Sequence, residues 1–284
     1  MKNPGDLVRD RYKILEHIAK SRYGNVYKAL DQTGNREVAL KILEADATSD
    51  QNVVKRIIKE GEVLSTLKHR AIVKFYSMEM EGPTPFLVME YLKGNTMAQR
   101  KNDLRKDLRS LFSFFLELLD GVDACHQSRV YHRNLAPENI IITTEGQLKI
   151  IDFRFAKTRE KLTRVGELIG IPEYMAPEQC EGKGPSEAAD VYSIGVIIWE
   201  MLIGEVPFPL PKKDGKVEVM DIIAMLALPL PIEKFDAVPR FAVLRDLMQR
   251  ILDKSPKYRP SIQEIASSLK REIPGILASA SNQP

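Results

Sequence analysis

Within ten residues, Tyr131-His132-Arg133-Asn134-Leu135-Ala136-Pro137-Glu138-Asn139-Ile140 brings together an imidazole, a guanidinium, a carboxylate and two carboxamides. A carboxamide is a very poor base at neutral pH, so Asn134 cannot take the proton of a hydroxyl nucleophile. Asn139 and, further along, Asp152 are oxygen donors of the kind magnesium accepts. Lys41 closes the β-rich run Val38-Ala39-Leu40-Lys41, where a rigid strand would make its ammonium a fixed positive charge. Such a charge needs a carboxylate to orient it, and Glu60 and Glu62 point to different faces of the helix expected around them. Ala19, Ser21 and Gly24 are small enough to let backbone N–H groups approach an anion, although the segment taken alone reads as no more than a hairpin.

These residues need elements to hold them. The stretch around Asn134 lies between an amphipathic helical run, Leu108 to Gln127, and two short apolar strands, Ile140-Ile141-Ile142 and Leu148 to Ile151. Upstream the chain reads mainly as strands. Gly24 to Ala29 alternates, Val38 to Leu43 is β-rich, and Asp31-Gln32-Thr33-Gly34-Asn35 between them suits a hairpin turn. Apolar residues at helical spacing (Val54, Ile57, Ile58, Val63, Leu64, Leu67) predict a helix over Val53 to Leu67. Ile72 to Phe75 and Phe86 to Glu90 read as further strands, and Lys93-Gly94-Asn95 as the crossing into a second lobe. From there the pattern is helical. Leu111 to Leu119 is apolar enough to be buried on most sides, and Asp190 can cap a helix over Val191 to Ile203. Further helices are expected at Val219 to Leu228, Val238 to Leu252 and Ile262 to Lys270. The expected organisation is α+β, with a strand-rich lobe over 1–91, a helical lobe over 92–273 and a polar tail over 274–284.

Composition excludes several classes. The 284 residues, 44% hydrophobic and 29% charged, are ordinary globular material with enough length for a sizeable core. A net charge of +3 is too small to argue for a nucleic-acid partner. Cys125 and Cys180 read as small buried hydrophobes, and the four histidines have no zinc-ligand spacing with them. Met1 to Asp10 lacks the apolar core of a signal peptide. Val191 to Leu202, broken by Ser193 and Glu200, is too short for a transmembrane segment. The expectation is a cytoplasmic chain, with the polar residues Ala278 to Pro284 leaving open that it is a piece of a longer protein.

From about Tyr12 to about Ile273 the sequence resembles the eukaryotic-type Ser/Thr protein kinase family, with features similar to its bacterial members. Tyr131 to Ile140 matches that family's catalytic loop, His-Arg-Asp-Leu-Lys-Pro-Glu-Asn, with Asn134 for the aspartate and Ala136 for the lysine. The resemblance implies a bilobal kinase fold, an N-lobe of antiparallel sheet plus one helix and a mainly helical C-lobe. It implies ATP as cofactor, with Mg2+ as the metal on Asn139 and Asp152. Lys41 then pairs with nucleotide phosphates, Glu60 orients it, and Ala19 and Gly24 belong to the glycine-rich loop. Met89, Glu90 and Leu92 fall in the hinge that meets an adenine. Val26, Ala39 and Ile141 sandwich its ring or, equally on the sequence, are plain core.

Asp152-Phe153-Arg154 matches the metal-binding Asp-Phe-Gly with arginine for glycine. Arg154 could compete with a metal, contact phosphate or face solvent. Structural marks of the family are kept: Glu178 is expected to pair with Arg259, and Asp190 to hold the catalytic-loop backbone. Leu64, Phe75, His132 and Phe153 fit the family's hydrophobic spine. Thr158 and Thr163 lie among basic residues in the activation segment, where a phosphate on Thr163 could pair with Arg133 or the segment could be a solvated charged loop.

The family's base, its lysine and a threonine in Gly-Thr-Pro-Glu-Tyr form one hydrogen-bonded group. Here Asn134, Ala136 and Ile171 replace all three. Loss of the general base alone costs roughly 10²–10⁴ in rate. The resemblance therefore implies a pseudokinase that binds nucleotide and regulates or scaffolds a protein partner, such as a competent kinase. Two other readings stay open: a residually active Ser/Thr kinase, and a different transferase on the same fold.

Overall fold

The computed structural model describes residues 1–21, 24–48, 50–153, 156, 171–210 and 219–281. They fall into two compact units, Met1–Gly94 with Thr143–Arg154, and Asn95–Ile142 with Phe155–Pro284.

In the first unit, β1 (Leu7–Val8), β2 (Tyr12–Lys20), β3 (Gly24–Asp31), β4 (Arg36–Leu43), β5 (Phe75–Glu81) and β6 (Thr84–Glu90) form one antiparallel sheet in the order β1-β2-β3-β4-β6-β5. Side chains alternate across a strand, and the register sorts them into two sets. Tyr27, Ala29, Val38, Leu40, Ile42, Phe86 and Val88 face one side and join Val8, Tyr12 and Ile14 in a core. The other face carries Val26, Ala39, Lys41, Leu87 and Met89. Helix α1 (Gln51–Thr66) begins at Asp50, whose carboxylate accepts the Asn52 N–H at 2.8 Å. It buries Val53, Ile57, Glu60, Gly61, Val63 and Leu64. A Cβ on Gly61 would sit 3.0 Å from Leu87 Cδ2, so glycine lets the helix lie close to β6.

The strand expected over Ile72 to Phe75 starts only at Phe75. Ile72 instead makes an isolated parallel bridge to Ile150, with Ile150 N–H donating to Ala71 O and Val73 N–H to Ile150 O. The apolar run is thus satisfied by the later strand Leu148–Ile150 and not by the large sheet.

Charge draws the two edges of this sheet together. Glu79 on edge strand β5 accepts the Tyr12 hydroxyl at 2.6 Å and pairs with Arg9 at 3.2 Å and Arg11 at 3.5 Å; Lys2 reaches Glu81 at 2.8 Å. Burial, and then the bond to Glu79, push the Tyr12 phenol up to about 12. A hydrogen bond to a charged group contributes about 1.5–3 kcal/mol, so this closure is substantial.

The second unit is mainly helical. Helix α2 (Leu108–Gln127) is capped by Asp107, which accepts the Ser110 N–H, and Leu111, Phe112, Phe114, Phe115, Leu118 and Leu119 are buried along it. Helix α3 (Glu187–Ile203) starts one turn earlier than expected. Its cap is Ser186, which accepts the Ala189 N–H, and Gly204 ends it at φ 106°. Asp190 therefore lies inside the first turn and is no cap; its carboxylate has other partners, described below. Helix α4 (Val219–Ala227) follows. The helix expected over Val238 to Leu252 is split into a 3-10 segment, Pro239–Leu244, and α5 (Arg245–Ile251). Pro239, which lacks an N–H, starts the tighter segment. Helix α6 (Ile262–Ser281) runs past the expected end at Lys270 into residues expected as tail. The stripe of Ile262, Ile265 and Leu269 continues to Ile276, 1% exposed, and burial of that side chain carries the helix on through Pro274. Among the described residues, no helix is long and apolar enough to cross a membrane.

The raised Tyr12 pKa fixes the sign of an alkaline effect. The neutral phenol favours the folded chain, so its contribution is complete below the ordinary phenol value of 10.0 and is lost as pH rises toward about 12. Denaturant unfolding across this range should show stability falling less steeply for Tyr12→Phe than for the parent chain. Identical slopes would mean that neither burial nor Glu79 raises the phenol.

Candidate functional site

Of the residues expected at a nucleotide site in the first unit, Val26, Ala39, Lys41 and Met89 share the face of the sheet opposite its core. Val26 is the cross-strand partner of Lys41, Ala39 of Met89, and Ala19 of Val26. Lys41, Ala39 and Val26 therefore lie side by side, with Leu87 and Met89 beyond them. Leu92 follows β6 and is half-buried. Gly24 is required for a reason that sequence reading missed: a Cβ there would come within 2.2 Å of Ile42 O, so β3 and β4 could not approach. Glu90 directs its carboxylate into the scaffold, accepting Lys149 Nζ and the Lys74 N–H, both at 2.7 Å.

Lys41 is the centre of this face. Its Nζ lies 2.7 Å from each Glu60 oxygen and 3.1 Å from Asp152 Oδ1. The side chains are 12%, 2% and 16% exposed respectively, so water screens the charges little. Burial works against the ammonium, yet the Glu60 and then the Asp152 carboxylates outweigh it and raise the Lys41 pKa above its ordinary value. Asp152 sits at φ 64°, a left-handed conformation uncommon outside glycine. Glu62 pairs instead with Lys59 at 3.1 Å on the exposed side of α1.

The second unit holds the stretch around Asn134. Asp190, fully buried, accepts the His132 N–H at 2.9 Å, the Arg133 N–H at 2.8 Å and His126 Nε2 at 2.9 Å. Burial alone would raise its pKa; the His126 bond and the charge around it more than reverse this and hold the carboxyl below its usual range. Arg133 is 5% exposed at φ 64°, and Gln179 Nε2 donates to its carbonyl at 3.2 Å. Its Nε is buried with no hydrogen-bond partner among the described residues, and burial, opposed by Asp190, lowers its pKa. Asn139 Nδ2 donates to Asn134 O at 2.7 Å, and the Asn134 N–H to His132 Nδ1 at 3.3 Å. Asn134 and Ala136 are 3% and 0% exposed. Both bonds use backbone groups at position 134. Ile141 is half-buried in Ile140–Thr143, and Ile171, half-buried, precedes the 3-10 turn Pro172–Tyr174.

Arg259 forks onto Glu178 at 2.6 and 2.9 Å, as expected, with both side chains almost fully buried. Sequence reading missed a second ionic cluster, in which Glu200 takes Lys101 Nζ at 2.8 Å and the Tyr174 hydroxyl. Lys101 and Glu200 are 99 residues apart, and no local pattern links them. Of the expected spine, Leu64 and Phe153 are buried in the first unit and His132 in the second, while Phe75 is half-buried. Arg22, Tyr23, Arg154 and residues 157–170, with Thr158 and Thr163, lie outside the described residues.

The protein kinase domain family matches residues 12–269. The chain belongs to the protein kinase family. The kinase domain is 34% identical over 215 residues to the probable serine/threonine-protein kinase pknA2 of Bifidobacterium longum, covering 72% of this chain and 28% of that protein. It is 29% identical over 279 residues to the serine/threonine-protein kinase pkn2 of Myxococcus xanthus, covering 94% of this chain and 33% of the relative. Against AtPK1/AtPK6 of Arabidopsis thaliana the identity is 30% over 257 residues, covering 87% and 53%. The kinase domain thus spans between about a quarter and about a half of the length of these relatives.

Removing one member of a buried ion pair leaves the others uncompensated, at about 3–5 kcal/mol. Lys41→Met leaves Glu60 and Asp152 without the cation between them and should cost that much in urea unfolding. A loss below about 1 kcal/mol would be that of a screened surface pair and would contradict the burial described.

Proposed function

We propose that this kinase domain binds ATP on the Lys41 face and acts chiefly as a pseudokinase, regulating or scaffolding a protein partner in signalling, with phosphoryl transfer suppressed. The observation that carries this reading is the contrast between two sets of residues. Lys41 is present and bonded to both Glu60 and Asp152. Asn134, Ala136 and Ile171 stand where the reacting hydroxyl's base, a cation and their hydrogen-bond link would be needed.

In the proposed complex, Lys41 neutralises phosphate charge while Glu60 holds it in place. Val26, Ala39 and Met89 supply an apolar bed for the base, which the main chain of Glu90 and Leu92 would meet along its edge. Ala19 and Gly24 lie in the segment that would cover the phosphates, and Ile141 has an apolar side chain of the kind that packs on a base. Asn139 in the second unit and Asp152 in the first each have the oxygen donors that Mg2+ takes; bound with the nucleotide, the metal would neutralise phosphate charge. No group at position 134 can accept the hydroxyl proton, a loss of roughly 10²–10⁴ in rate, or about 3–5 kcal/mol of barrier.

A second reading has its own support. The relatives carry the names of serine/threonine kinases, and the loop around Asn134 keeps an ordered backbone held by Asp190. On that reading the chain is a Ser/Thr kinase that transfers phosphate from ATP to a protein hydroxyl, using another group in place of the lost base.

Thermal shift with ATP, with and without Mg2+, tests the shared part. A shift lost in Lys41→Ala is expected, and no shift under either condition would refute nucleotide binding. Label from γ-labelled ATP on the chain or on a protein substrate would favour the active kinase; absence of label during ATP binding supports the pseudokinase. Combining Asn134→Asp, Ala136→Lys and Ile171→Thr should then raise transfer by at least about tenfold. A triple variant that binds ATP and still transfers nothing would place the block elsewhere.

A further inference from the structure

The β2–β3 hairpin has an unusual polar restraint. Its ladder reaches Ala19↔Val26 and Lys20↔Asn25, but β2 carries register irregularities between Ile14 and Glu16 and between His17 and Ala19. Such bulges loosen a strand's hold on its neighbour. The hairpin's base is closed by Ser21, whose N–H and hydroxyl both donate to Gly24 O, at 2.8 and 3.0 Å.

Next to that closure, Asn25 is 3% exposed although His17, Ala19 and Lys20 around it are exposed. Both ends of its carboxamide are used. Oδ1 lies 2.9 Å from His17 Nε2 on β2, and Nδ2 donates to Glu44 Oε1 at 3.1 Å, just beyond β4. One anchor is itself fixed. The His17 ring packs edge-on against Tyr27, whose hydroxyl accepts the Lys2 N–H. Glu44 follows Lys41 by three residues. One side chain thus ties three adjacent strands at the end nearest Lys41. Asn25 alternates with Val26, so it points away from the face that carries Val26 and Lys41.

We propose that Asn25 is a positioning residue for nucleotide phosphates, holding the hairpin at a fixed distance from β4; this rests on the nucleotide reading above. It compensates for the bulges in β2, which backbone pairing alone leaves loose. Because it lies on the opposite face, it acts through the hairpin and touches no ligand. On that reading its effect should fall on the phosphates, which the hairpin would cover, and spare the base, which would lie on β4 and β6.

The test compares ATP with adenosine by calorimetric titration of the full chain, of Asn25→Ala and of Glu44→Ala. Glu44 is 38% exposed, so its variant keeps the test valid if loss of Asn25 harms folding. In both variants the preference for ATP over adenosine should fall about tenfold, with adenosine affinity held within about twofold. An unchanged preference overturns the proposal, and so does equal weakening of both ligands, which would make Asn25 a purely structural residue. If the parent chain binds neither ligand, the nucleotide reading fails first and this proposal falls with it.

Discussion

Asp190 is a carboxylate with no solvent exposure, and much of the second unit's chemistry follows from satisfying it. Several kcal/mol of solvation are lost when such a group leaves water. The His132 and Arg133 N–H groups and the His126 ring replace that solvation. To deliver its N–H, Arg133 takes a left-handed backbone that costs on the order of 1–3 kcal/mol. The buried charge holds it there. Since the constraint acts on the main chain, a loop can lose reactive side chains at 134 and 136 and keep its form.

The first unit solves a different problem, that of placing a cation on a sheet that must also have a core. Alternation along β3, β4 and β6 does this by geometry: Leu40 and Ile42 go to the core, Ala39 and Lys41 to the opposite face. Gly61 then lets α1 approach β6 closely enough for Glu60 to reach Lys41. The ammonium sits between two carboxylates and stays charged despite its burial. Shape and charge here are set by the fold alone.

Much of this was legible in the residues. Val38 to Leu43 reads as a strand because its apolar positions fit a pleat, and α1 because its apolar positions recur at helical spacing. Glu60 rather than Glu62 came through resemblance; direction around the helix says only that the two carboxylates point to different faces. The pairing of Glu178 with Arg259 came only through resemblance, as nothing local joins residues 81 apart. The misses have physical causes. Asp190 precedes an apolar run, as a cap would, but the helix begins earlier at Ser186. The run from Ile72 is apolar because it pairs with Ile150, a partner that periodicity cannot reveal. Helix α6 runs beyond Lys270 and through Pro274, because the apolar stripe continues to the buried Ile276.

The charge that draws the edges of the large sheet together also bears on where the folded domain begins. The family match starts at Tyr12, yet β1, Lys2 and Arg9 lie before it and bond to β2 and β5. A chain shortened to Tyr12 would uncover the outer N–H and C=O groups of β2 and leave Glu79 with fewer cations. An open edge is a template for pairing with another chain. The first eleven residues therefore cover the start of that edge, a contribution that alignment to the family would overlook.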